Sequence, residues 1–100
     1  MTDLEYIKDR LPLDEIMTQL AEEAAELGQA ALKLRRAKSK TNPTPVAFHE
    51  AYEKLIEETV DVMVCLQVAG LNLDPVLWQH GMEQKLARWV QRLREVEEAV

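Results

Sequence analysis

Aromatic residues and glycine are scarce. Phe, Tyr and Trp together make 5% of the chain, and only three positions are glycine. Sandwiches and barrels draw on aromatic and β-branched strands joined by glycine-rich turns, so this composition points to helices. The single cysteine, Cys65, has no partner for an internal disulfide, and its apolar neighbours mark an inert buried thiol. No apolar run approaches the ~20 residues of a membrane span. The start, Met1-Thr2-Asp3-Leu4-Glu5, has neither the basic stretch nor the apolar stretch of a secretory signal, so the expected location is cytoplasmic. Basic charge is also short, with 12 Lys and Arg against 18 Asp and Glu and a net charge of -6. Nucleic-acid polymers are bound by basic surfaces, so neither a polymer nor a membrane is an expected partner. A single nucleotide still fits, because a metal can bridge its phosphates to acidic side chains.

Two motifs are missing as well. There is no glycine-rich loop ending in Lys-Ser or Lys-Thr, which excludes a P-loop protein. A di-iron carboxylate bundle needs Glu-x-x-His pairs, and the residues three before His49 and His80 are Val46 and Leu77.

What is present reads as one all-α domain spanning residues 1–100, with 47% hydrophobic and 30% charged residues. Leu4 to Arg10 reads as a short helix or an arm, interrupted by Pro12. A first long helix is expected from Asp14, a good N-cap, with Ile16, Met17, Leu20, Ala24, Leu27, Ala31 and Leu34 on its apolar face. It ends in the basic run Lys33, Arg35, Arg36, Lys38 and Lys40. Cations favour a helix C-terminus, and that reading is preferred over contact with substrate phosphates. Thr41-Asn42-Pro43-Thr44-Pro45 is a loop. A second long helix is expected from about Val46 to Ala69, stopped by Gly70. Asp74-Pro75 then opens a third, with Met82, Leu86, Trp89, Leu93 and Val96 on the stripe expected to be buried. The architecture expected is a small antiparallel helical bundle. A chain this short has a modest core, and helices this long cannot bury all their apolar stripes within one copy.

The centre of the pattern is Glu57-Glu58-Thr59-Val60-Asp61-Val62-Met63-Val64-Cys65-Leu66. From Val60 to Ala69 only Asp61 and Gln67 are polar, so the helix is expected to be buried on all sides. A buried carboxylate persists when it is paired, hydrogen-bonded or bound to a metal. Glu58, three residues earlier, shares Asp61's stripe. Glu22, Glu23 and Glu26 on the first long helix are the expected answer to this pair, and such a gathering of carboxylates repels itself unless a cation holds it.

Glu22-Glu23-Ala24-Ala25-Glu26 is an EExxE run and Glu58-Thr59-Val60-Asp61 an ExxD. In this order, on successive helices, they resemble the all-α nucleoside triphosphate pyrophosphohydrolases of the MazG-like group. The likeness covers about Gln19 to Arg92. Thirty-one residues separate Glu26 from Glu58, longer than is usual for the group, with the excess in the basic run and the proline loop. The resemblance implies hydrolysis of a nucleoside triphosphate to the monophosphate and pyrophosphate, and self-association as a homodimer or homotetramer. It implies Mg²⁺, with Mn²⁺ as a substitute, held by Glu23, Glu26, Glu58 and Asp61. Glu22 would position or deprotonate the attacking water. Lys85, Arg88 and Arg92 would meet the phosphates.

Each residue also has an ordinary reading. Glu22 can simply be solvated, Glu23 and Glu26 can pair with surface arginines, and Lys85, Arg88 and Arg92 can be a solvated charged face. Trp78 and Gln19 are weaker contacts for base or sugar, and Trp89 belongs with the core. The competing function is a non-catalytic helical module that binds a protein partner, a degenerate member of the same group. Base and sugar preference is not legible.

Overall fold

A computed structural model describes residues 1–99. Among them there are four helices and no strand: α1 (Asp3–Arg10), α2 (Leu13–Ala37), α3 (Phe48–Ala69) and α4 (Pro75–Glu98). None is long and apolar enough to cross a membrane.

The helix boundaries follow local chemistry. At α1, Thr2 and Glu5 form a reciprocal capping box, with the Thr2 hydroxyl accepting from the Glu5 amide and the Glu5 carboxylate accepting from the Thr2 amide. The stretch from Leu4 is therefore a true helix. α2 begins at Leu13, not at an Asp14 cap: Pro12, extended at φ -69 and ψ 155, takes the N-cap position. Asp14 sits in the first turn, where its charge still complements the helix dipole. α3 begins two residues later than expected, because the Val46 amide bonds back to the Thr44 carbonyl at 2.8 Å in a tight turn. Gly70 ends α3 in the left-handed region at φ 72, as anticipated. Asp74 caps α4 by accepting from the Leu77 amide at 3.0 Å, with Pro75 in the first turn.

α2 and α3 form the main packed pair, and α1 lies against α3. The core between them is thin, made of Ile16, Ala30, Ala51, Cys65 and Val68, and no large side chain is fully buried. Two expectations fail here for one reason. α4 packs along none of the other helices among the described residues, so the far side of α3 is left largely open. Val60, Met63 and Val64 are exposed and Asp61 is only half-buried, which corrects the reading of α3 as buried all round. The α4 stripe of Met82, Leu86, Trp89, Leu93 and Val96 is likewise exposed, with Trp89 at 60%, so Trp89 is not core within one chain. The radius of gyration is 17.8 Å, against about 13 Å for a compact domain of this length.

Candidate functional site: a carboxylate cluster between α2 and α3

Successive residues of a helix are about 100° apart around its axis, so positions three and four apart share a side. That spacing puts Gln19, Glu23 and Glu26 in one row on α2, and Lys54, Glu58 and Asp61 in one row on α3. Packing α2 on α3 brings the rows together. Glu58 becomes the most buried charged residue described, 4% exposed, although the apolar pattern pointed to Asp61.

The carboxylates gather as two triads that share Glu58. Glu23, Glu26 and Glu58 each offer an oxygen within 4.8 Å of the others, and so do Glu57, Glu58 and Asp61. Three of the four expected ligands thus stand in one group. Asp61 belongs to the second, with Glu57, which the sequence reading left out. Gln19 donates to Glu23 Oε1 at 2.7 Å, which makes it an orienting partner of a carboxylate. Lys54 Nζ lies 2.9 Å from Glu58 Oε1 and 3.6 Å from Glu57 Oε1. Lys54 was missed, although its signal was visible as a lysine three and four residues before two glutamates. The second oxygens of Glu23 and Glu58 are buried with no hydrogen-bond partner among the described residues.

Electrostatics follow from this crowding. The Glu26 carboxyl is held above its ordinary value by the charges of Glu23 and then Glu58. Asp61 is raised first by loss of water and then by Glu23, Glu58 and Glu57, with Lys54 pulling the other way. Lys54 is raised by its bond to Glu58 and by the charges of Glu57 and Glu58. Burial, followed by the charges of Glu23 and Asp61, pushes the Cys65 thiol up from 9.0. The thiol therefore stays protonated near neutrality, which disfavours it as a nucleophile.

A proton-linked prediction arises from these directions. Glu26 and Asp61 keep their protons in the folded chain at pH values where the unfolded chain has lost them. Across that window, which begins at the ordinary 4.5 for Glu26 and 3.8 for Asp61, stability falls as pH rises. The Lys54 contribution is complete below 10.5 and is lost only above it, so it is constant in this range. Glu26→Gln is therefore expected to raise the melting temperature of the chelator-treated protein at pH 7 and to flatten its decline from mildly acidic pH. Calorimetric melts check this, and a lower melting temperature for the variant at pH 7 would contradict it.

The donor set suits a hard divalent cation. It consists of carboxylate oxygens from two helices, two of them buried and unpartnered, with no imidazole and with the nearby thiol protonated. Mg²⁺ and Mn²⁺ prefer such ligands, whereas softer metals call for Cys or His. Beside Glu23 and Asp61 opens a cleft of about 390 Å³, walled by Ile7, Leu11, Ile16, Gln19, Val64 and Val68. That volume lies in the range of small-molecule sites. Ile7 on α1 and Leu11 at its C-cap give the N-terminal segment a place in the site which the sequence had not indicated.

No family model, curated protein or solved structure matches the chain. The likeness to the MazG-like group therefore rests on its acidic motifs.

The remaining expected residues stand apart from the cluster. Glu22 is exposed and belongs to neither triad. Lys85, Arg88 and Arg92 are exposed on α4, which does not pack along α2 or α3. Trp78 donates its indole N–H to the Leu71 carbonyl and lines a groove with Val60, Met63 and Gln67, not the cleft.

Proposed function

We propose that the chain is a Mg²⁺-dependent nucleoside triphosphate pyrophosphohydrolase of the MazG-like kind, acting on an NTP or dNTP. The observation that carries this reading is Glu58: a carboxylate withdrawn from solvent, with one oxygen unpartnered, inside a carboxylate triad built across two helices. Leaving such an oxygen unmade is costly, and a divalent cation relieves both the vacancy and the mutual repulsion of the triad. The adjoining apolar cleft and the EExxE and ExxD motifs agree with a nucleotide as the substrate.

Glu23, Glu26 and Glu58 would hold the cation, with Asp61 flanking them. Mg²⁺, when bound, supplies positive charge against the substrate phosphates and Lewis-acid polarisation at the α-phosphate. Gln19 fixes Glu23 in its ligating orientation. The walls from α1 and α3 would take up base or sugar. Water attacks the α-phosphorus, the bridging bond to the β-phosphate breaks, and pyrophosphate leaves. Asp61, at the edge of the cleft and half-buried, is better placed than the exposed Glu22 to accept the proton of that water.

We further propose a homodimer or homotetramer, because the exposed apolar stripe of α4 and the uncovered side of α3 need a partner surface. In that assembly Lys85, Arg88 and Arg92 would reach phosphates from a second copy. The same exposed stripe favours the alternative, a helical module that binds a different protein. Assay of pyrophosphate release from a panel of ribo- and deoxynucleoside triphosphates separates the two readings and ranks the bases.

A further inference from the structure

The two triads differ in one respect: the second already contains a cation. Lys54 Nζ sits 2.9 Å from Glu58 Oε1 and 3.6 Å from Glu57 Oε1, against two of the three members. It is tethered to the same helix, one turn before the carboxylates it serves. No ion pair reaches Glu23 or Glu26 among the described residues. Their triad contains both unpartnered oxygens, Glu23 Oε2 and Glu58 Oε2. At 4% exposure, Glu58 cannot satisfy its free oxygen with bulk water.

We propose that Lys54 is a built-in cation that occupies the Glu57–Glu58 edge of the second triad, so that the cluster takes a single divalent ion, in the Glu23–Glu26–Glu58 triad. The proposal rests on the reading that the cluster binds a divalent cation. A lysine ammonium is a compact point charge with three donors, suited to bridging two carboxylates as a small ion does. A second divalent ion would have to displace an ammonium whose tether keeps its effective concentration high. Lys54 is thus a positioning residue: it holds one oxygen of Glu58 and leaves the other for the ion, as outer partners of metal-bound carboxylates do.

The test is the number of Mn²⁺ ions bound per full-length chain, measured by calorimetric titration and by the paramagnetic resonance signal of free Mn²⁺. The native chain and Lys54→Arg are expected to bind one ion, and Lys54→Met two. Two ions in the native chain, or one in a folded Lys54→Met, would overturn the role of Lys54 while leaving the divalent site intact. No Mn²⁺ bound by the folded native chain would overturn the divalent site itself. Lys54→Met leaves the buried Glu58 charge without its partner, so its helical content is checked by circular dichroism. Should it fail to fold, the native and Lys54→Arg stoichiometries decide the matter, and two ions in either would overturn the proposal.

Discussion

Glu58→Gln is expected to lower pyrophosphate release by about 10³-fold or more, equivalent to about 4 kcal/mol of transition-state stabilisation, while the helices stay folded. The substitution keeps the side-chain volume and removes a charge that is 4% exposed. The partner it releases, Lys54, has a side chain that is 55% exposed and returns to water. Removing one member of a buried pair is costly when it strands a buried charge, and here the stranded charge is the solvated one. Fold and function should therefore separate in this variant. Circular dichroism and a melting curve read the first, and the rate of pyrophosphate release reads the second. Near-native turnover in folded Glu58→Gln would remove the triad from the chemistry.

Trp89→Glu is expected to turn an associated protein into a monomer, raising the dissociation constant by about 100-fold or more. Trp89 and Leu86 stand one short turn apart on α4, 60% and 59% exposed in the single chain. A buried aromatic contributes 150–250 Å² of contact area, and truncating an interface anchor commonly costs ~2–4 kcal/mol. A glutamate would also place a charge inside the seam. Sedimentation velocity at micromolar concentration distinguishes the outcomes, with the native chain sedimenting as a dimer or tetramer and the variant at the mass of one chain. A native protein that is already monomeric would contradict the self-association proposal. Activity adds a second readout. If Lys85 and its neighbours serve a site on another copy, turnover should fall in step with dissociation.

The division between what was legible and what was not is physical. Gly70 and Asp74-Pro75 were readable because a left-handed stop and a capped proline start are settled by a few adjacent residues. Glu23, Glu26 and Glu58 were readable as a group because helical spacing puts each row on one side of its helix. The choice of Glu58 over Asp61 as the buried carboxylate was not readable. The two lie only about 60° apart around the axis, and the apolar pattern does not fix how far α3 is rotated against α2. The spacing of Lys54 to Glu57 and Glu58 is legible, but a lysine one turn before two glutamates is an ordinary pair on any exposed helix, and only the burial of Glu58 gives it a place in the cluster. The exposure of α4 was beyond periodicity altogether: a stripe of Met82, Leu86, Trp89 and Leu93 says that one side wants cover, not which chain provides it. The cleft wall from Ile7 and Leu11 depends on where α1 docks, which two apolar residues in and just after a short helix do not specify.

The most direct measurement is phosphorus NMR of a nucleoside triphosphate mixture incubated with the folded chain, first with Mg²⁺ and then with excess chelator. Monophosphate and pyrophosphate are expected to appear together with Mg²⁺ and to stop accumulating when the ion is withdrawn. Diphosphate and inorganic phosphate would contradict attack at the α-phosphorus. No product from any nucleotide would contradict the hydrolase assignment and leave the helical interaction module as the better description of the chain.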